Sequence, residues 1–239
     1  MTDRTRTPYL ITPVYLAGPD PHATTTVTEV LAAAGWHVRP HAPGVLWAPD
    51  ARRAARRRTP HPNQPFTEAL VVPGQVYGGW EFAAFPAPGQ PPMWQARFAP
   101  ATPPELTAAF AAALADPAPA PDGRPRYLAP PGSPGEATRP LTAAGWICDL
   151  GTEATWSPHT GQAAVITPPL DPEHRNEGNW VAAACRITDA VTLWHAQATP
   201  HTPTHLITAL CRALTDPTPV PRHTLPAPEH RARTVPHPR

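Results

Sequence analysis

From Leu106 to Leu114 the apolar residues Leu106, Ala109, Phe110, Ala113 and Leu114 stand at i, i+3, i+4, i+7 and i+8. That stripe marks an amphipathic helix laid on a sheet. Thr102-Pro103-Pro104-Glu105 ahead of it offers a cap, a proline for the first turn and a capping-box acid. Asp116-Pro117 stops it, because the residue before proline avoids helical geometry. Just upstream the period changes to two: Trp94, Ala96 and Phe98 share one face of a predicted strand, Gln95 and Arg97 the other. Further back, Val27, Val30, Leu31 and Ala34 predict a first helix, entered near Asp20-Pro21 and closed by Gly35 at the left-handed C′ position. Short strand-like runs lie between the two helices at residues 36–39, 45–47, 51–58 and 79–83.

The pattern is then written a second time. Ala32-Ala33-Ala34-Gly35-Trp36 returns as Thr142-Ala143-Ala144-Gly145-Trp146, and Leu206, Ala209, Leu210, Ala213 and Leu214 repeat the closing stripe before Asp216-Pro217. Trp194, Ala196 and Ala198 repeat the strand face, opposite His195 and Gln197. Ser133-Pro134 with Glu136 opens the second copy's first helix as a capping box. The eight tryptophans fall into four pairs: Trp36 with Trp146, Trp47 with Trp156, Trp80 with Trp180, and Trp94 with Trp194. The first copy carries about nine extra residues between its second and third tryptophans, and the unit is roughly 100 residues long. The fold class is therefore α+β: two tandem copies of a unit made of a helix, about five antiparallel strands and a closing helix, packed about a pseudo-twofold axis. The expected boundaries are a flexible arm at 1–13, repeat 1 at 14–117, a linker at 118–125, repeat 2 at 126–221 and a disordered tail at 222–239.

Composition narrows the function. With 239 residues the chain is long enough for two cores. A formal net charge of +1 means that no overall field drives it onto nucleic acid or membrane. All 19 basic residues are arginine and 39 residues are proline, the mark of a GC-rich coding bias, so the placement of arginines has to carry the argument. Cys148, Cys185 and Cys211 lack the spacing of a zinc site or a disulfide framework and are expected to be buried free thiols. No stretch approaches the roughly 18 apolar residues of a spanning helix, and the N-terminus has no signal-peptide core, so a cytoplasmic protein without membrane contact is expected.

The AAGW turn, the spaced tryptophans and the closing helix ending in Asp-Pro resemble the streptomycete domain-of-unknown-function family numbered 317, usually found as tandem copies. The resemblance spans Tyr15 to Pro117 and Tyr127 to Pro217, most of the chain, and brings no catalytic residues with it. A duplicated sheet closed by a helix is also similar, at the level of fold, to single-stranded nucleic-acid binders of the PUR and Whirly kind, which by itself implies no function.

One local signal remains. Asp50-Ala51-Arg52-Arg53-Ala54-Ala55-Arg56-Arg57-Arg58 puts five arginines within seven residues, and the matching stretch Gly161 to Thr167 has none. The fold does not need these charges, which suits them for phosphate contact. As a strand the run places Arg53 and Arg57 on one face and Arg52, Arg56 and Arg58 on the other. Because one face should meet the core, an edge strand or a short helix capped by Asp50 is also consistent. Arg97 completes the candidate nucleic-acid set, and Arg222, Arg231 and Arg233 of the tail could add to it. The tryptophans read as core rather than base-stacking platforms, with Tyr77 and Phe85 the better exposed aromatics. His195, His201 and His205 lie close in sequence but no carboxylate or cysteine completes a metal site, and no cofactor is implied. Serine is nearly absent and no phosphate-cradling loop is present, so no enzyme is expected. Two readings follow: a non-enzymatic binder of DNA or RNA, single-stranded or sequence-nonspecific, or a protein-interaction module with no nucleic-acid binding.

Overall fold

Glycine closes the first helix of both repeats as the sequence predicts. Gly35 and Gly145 sit at φ of 80° and 78°, where a side chain would be strained, and the next residue turns back onto the helix. Trp36 and Trp146 donate their backbone N–H to the carbonyls of Leu31 and Leu141, each at 3.0 Å, the closure of a Schellman motif. The computed structural model describes residues 9–20, 23–39, 42–58, 79–171, 173–186 and 189–222. Repeat 1 contributes α1 (Ala23–Ala33), β2 (His37–Arg39), β3 (Ala42–Trp47), β4 (Arg53–Arg58), β5 (Gly79–Ala84), β6 (Trp94–Phe98) and α2 (Pro104–Ala115), preceded by β1 (Tyr9–Ile11). Repeat 2 contributes α3 (Pro134–Ala137), α4 (Arg139–Ala143), β7 (Ile147–Leu150), β8 (Ala154–Ser157), β9 (Ala163–Ile166), β10 (Trp180–Cys185), β11 (Thr192–Ala198) and α5 (Thr204–Leu214), followed by β12 (Val220–Arg222). Each repeat thus supplies five sheet strands.

The two sets fuse into one ten-stranded antiparallel sheet, in the order β2-β3-β4-β5-β6-β11-β10-β9-β8-β7. The seam is β6 against β11, where Phe98 opposes Ala196, Arg97 opposes Gln197 and Ala96 opposes Ala198. Residues 100 apart in sequence exchange partners across this seam, so the pseudo-twofold axis passes between Arg97 and Gln197. The tryptophan indoles obey the same exchange. Trp94 donates to the carbonyl of Tyr127 at 2.9 Å and Trp194 to that of Tyr15 at 2.8 Å, each bond reaching into the other repeat.

One helix layer covers one face of the sheet, with α2 and α5 packed together over the seam, α1 beside α2, and α3 and α4 beside α5. A single apolar cluster runs through both repeats and includes Phe82, Trp94, Phe98, Phe110, Trp194 and Leu206. Leu106, Phe110 and Leu114 of the predicted stripe are buried, and Phe110 meets Phe82 and Phe98 at ring separations of 5.3 and 5.1 Å. Between the layers a gap of about 10 Å³ lined by Phe98, Phe110, Trp180 and Ile207 has room for about one water.

Several expectations need correcting. The N-cap of α2 is Pro103, which offers no side-chain cap, the Thr102 hydroxyl instead donates to the His195 carbonyl at 3.4 Å, and Glu105 grips Arg222 through both carboxylate oxygens at 2.7 Å. Ser133 does cap α3, accepting the N–H of Glu136 at 3.2 Å, but the helix breaks at Thr138 because Pro140 cannot continue its hydrogen bonds. Ala34 lies beyond α1 and is exposed. Residues 9–11, within the expected arm, pair as β1 with β12, and Arg222 at the head of the expected tail is buried at 3 % exposure. Cys148 is exposed and Cys185 half-buried, so only Cys211 is the buried thiol foreseen, its pKa pushed up to about 12 by burial. Trp47 and Trp156 are not counterparts. The offset stays at 110 from Trp36/Trp146 through Ala55/Val165, which matches Trp156 to Leu46 on the helix side and turns Trp47 to the other face. In a strand a slip of one residue is enough to do that.

Candidate nucleic-acid interface

The arginine run becomes β4, an interior strand between β3 and β5 rather than an edge or a helix. A turn at Ala48–Arg53 starts it: Ala51 takes a left-handed φ of 59°, and the carboxylate of Asp50 accepts the Arg52 N–H at 3.0 Å. Alternation then sends Arg53 toward the helix layer and Arg56 toward the uncovered face, where they stand opposite Ala84 and Glu81, while the backbones of Arg57 and Arg58 pair with those of Trp80 and Gly79. The side chains of Arg57 and Arg58 lie outside the described residues, as do Tyr77, Arg231 and Arg233.

Arg53 is engaged inside the protein through its terminal guanidinium nitrogens, while its buried Nε has no hydrogen-bond partner among the described residues. Its guanidinium donates to the Leu114 carbonyl at 2.7 Å and lies 3.4 Å from Asp50. It also stacks 5.5 Å from the ring centre of Trp36 and 4.5 Å from that of Tyr127. Asp50 accepts the Tyr127 hydroxyl at 2.7 Å. Burial, with this hydrogen bond behind it, pushes the Tyr127 phenol up to about 12. For Asp50 burial works upward, but Tyr127, the Arg52 N–H and Arg53 outweigh it and hold the carboxyl below its ordinary value. In repeat 2 the position of Arg53 is Ala163, and there Tyr15 closes directly onto Trp146, edge to face at 6.0 Å. Arg53 therefore lies on the covered side of the sheet and joins the two repeats.

The uncovered face tells a different story. A single row runs straight across it from Val45 through Arg56, Glu81, Arg97, Gln197 and Val181 to Ile166. Glu81 is buried at 8 % exposure and holds both arginines, Arg56 at 2.6 Å and Arg97 at 3.5 Å, while their own side chains are about half exposed. The twofold counterparts of Arg56, Glu81 and Arg97 are Ile166, Val181 and Gln197, so the basic ridge belongs to repeat 1 alone. Beside it Trp47 packs on Phe85 at 5.8 Å, and the Arg39 guanidinium sits 5.1 Å over the Trp47 ring. Sequence spacing gave no hint that Arg56 and Arg97 meet; only the register brings them to one carboxylate.

The histidines do not gather. Among the described residues no group of three His, Cys, Asp or Glu is placed to hold a metal ion. His205, the twofold counterpart of Glu105, is packed against the end of α2. Burial and the nearby Arg126 push its pKa down to about 4, with Asp116 and a backbone hydrogen bond to Ala113 opposing. Its imidazole is thus neutral when folded and protonates first in the unfolded chain. Stability is expected to be whole above pH 6.5 and to fall by on the order of 2 kcal/mol between pH 6.5 and 4, allowing for partial exposure. Urea midpoints across that range check this; His205→Asn should flatten the decline, and an unchanged decline would assign it to other groups.

Fold and face together define a class: an internally duplicated α+β protein whose two half-sheets merge under one helix layer, with no described element over the opposite face. The chain belongs to the family described as SPDY, Domain of unknown function (DUF317), whose model matches residues 47–120 and 149–220. The two matches begin within β3 and β7 and end after α2 and α5, in keeping with a tandem repeat. No curated protein and no solved structure matches the chain. No helix of the described residues is long and apolar enough to cross a membrane.

Proposed function

We propose that the protein is a non-enzymatic, cytoplasmic binder of DNA or RNA, and that the uncovered face of repeat 1 is its contact surface. The observation that carries the proposal is the pair Arg56 and Arg97. They are half exposed, 41 positions apart in sequence yet on one row, and replaced by Ile166 and Gln197 in the other repeat. Glu81 neutralises one of the two charges and orients both guanidinium groups, leaving a net positive ridge for phosphate. Of the wider arginine set, Arg52 flanks the strand and Arg57 and Arg58 continue it, whereas Arg53 acts in the interior.

Titration with oligonucleotides over a range of salt, followed by intrinsic tryptophan fluorescence, tests the reading. Binding should weaken linearly in log K against log salt. Replacing Arg56 and Arg97 together by glutamine should lower the affinity at least tenfold at low salt and reduce the slope by about 0.7 per lost phosphate contact on a single strand. No micromolar binding at low salt would overturn it. The protein-interaction reading has its own observation: the edge strand β7 exposes Ile147 at 52 % and Leu150 at 73 %. Under that reading the nucleic-acid titration is flat and Leu150→Arg, not the arginine pair, abolishes partner binding.

A further inference from the structure

The ten-stranded sheet ends in β2 on one side and β7 on the other, and the two edges are built differently. They are twofold counterparts, His37-Val38-Arg39-Pro40 against Ile147-Cys148-Asp149-Leu150. The β2 edge carries the usual guards of an open strand: a slip in its ladder between Val38 and Arg39, the arginine itself, and then a proline with no N–H to offer. The β7 edge has none of these. Its ladder on β8 runs unbroken from Ile147 opposite Ser157 to Leu150 opposite Ala154, and all of its residues are exposed. Leu150, at 73 %, is the most exposed large apolar side chain among the described residues.

We propose that β7 pairs antiparallel with β7 of a second copy of this chain, about a twofold axis normal to the sheet, so that one sheet runs through the dimer. The backbone is set for it. Ala154 turns its N–H and C=O to Thr167, away from β7. Its neighbours along β8, Thr155 and Ser157, therefore serve Asp149 and Ile147, which leaves the N–H and C=O of Cys148 and Leu150 pointing out of the edge. An axis normal to the sheet keeps each face on its own side, so the pair can centre on Cys148 or on Asp149. Centring on Asp149 sets two like charges directly opposite, which is unfavourable. Centring on Cys148 avoids this. The two Cys148 residues exchange N–H···O bonds, the Leu150 N–H reaches the Trp146 carbonyl of the second copy, and Asp149 lies opposite Ile147. On the helix side Leu150 then packs beside Trp146 of the second copy. Such a pairing is isologous and closes on itself, whereas β7 against β2 would run on into open fibres and would meet Pro40. The inference is independent of the nucleic-acid reading and leaves the ridge of Arg56 and Arg97 untouched, at the far end of each half of the joint sheet.

Sedimentation equilibrium of the full chain tests it. So short an edge makes an interface below about 1,200 Å², weak and transient, so the mass should climb from monomer toward dimer between about 1 and 200 µM. Leu150→Lys, at an exposed position, should keep the fold and raise the dissociation constant at least tenfold, as an edge lysine does. Val38→Lys, the same kind of change on the other edge, should dimerise like the parent. Oxidation with copper–phenanthroline should couple Cys148, the exposed one of the three thiols, to its copy. A hydrogen-bonded antiparallel pair has Cα atoms about 5.5 Å apart, within disulfide reach. Cys148→Ser should abolish the cross-link and leave the mass unchanged. A monomer at the highest concentration overturns the dimer and leaves β7 to a different chain. A dimer that survives Leu150→Lys, or is lost equally in Val38→Lys, also overturns it. A Leu150-dependent dimer that cross-links through Asp149→Cys but not through Cys148 overturns the register. The Arg56 and Arg97 double variant should dimerise like the parent, so failure of nucleic-acid binding and failure of dimerisation are read separately.

Discussion

Trp94→Ala is expected to remove most of the stability of the whole protein, not of one repeat. The ring is 2 % exposed and meets Phe110 edge to face at 6.4 Å, and its indole N–H supplies the Tyr127 carbonyl of the other repeat. Emptying such a site costs about 3–5 kcal/mol, and the carbonyl left unpaired adds to it, against a total of roughly 5–15 kcal/mol for a typical domain. Trp94→Phe keeps the packing and loses the bond, so about 1–2 kcal/mol is expected for it. Trp194, with its bond to Tyr15, should behave alike. The sharper expectation concerns cooperativity. Because the sheet and the apolar cluster are continuous through the seam, far-ultraviolet dichroism and tryptophan fluorescence should report one shared urea transition in the parent and in both variants. A biphasic curve in Trp94→Ala, with repeat 2 surviving repeat 1, would sink the single-unit description.

That continuity is the part of the fold that side-chain patterns could not carry. The stripe from Leu106 to Leu114 and the alternation of Trp94, Ala96 and Phe98 are statements about which face is apolar, and both hold because burial decides them. The joining of β6 to β11 is made by backbone groups that every residue possesses, so no residue announces it. Duplication implies a twofold axis, and the structure adds that it runs between Arg97 and Gln197. Trp47 shows the opposite failure: matching it to Trp156 by residue type was one position out, and period two turned that small error into the wrong face. The same limit hid the candidate site. Arg56 and Arg97 become neighbours only once β4, β5 and β6 are placed in register on Glu81. The comparison of repeats remained informative throughout, since the residues that differ, Arg56, Glu81, Arg97 and Trp47, are the ones gathered on the open face.

Arg53 separates the two uses of that arginine run, and its replacement should prove it. Arg53→Ala deprives the Leu114 carbonyl of its donor, leaves Asp50 without its cation and opens the space between the rings of Trp36 and Tyr127. Removing one member of a largely buried, hydrogen-bonded charge cluster costs about 3 kcal/mol, most of it from the partners it strands. Arg53→Lys should recover little, because an ammonium cannot both lie flat between two rings and reach the carbonyl. Binding should respond in the opposite sense to Arg56→Gln: under conditions where the Arg53→Ala variant is folded, its oligonucleotide affinity and salt slope should match the parent's, whereas Arg56→Gln should weaken binding at nearly unchanged stability. A stable Arg53→Ala protein with lost binding would show instead that this side chain leaves the interior to meet the ligand. The twofold partner site argues against that outcome. With Ala163 there, Tyr15 and Trp146 close on each other unaided, so the fold has two ways to make the same joint, and in repeat 1 the arginine is the joint.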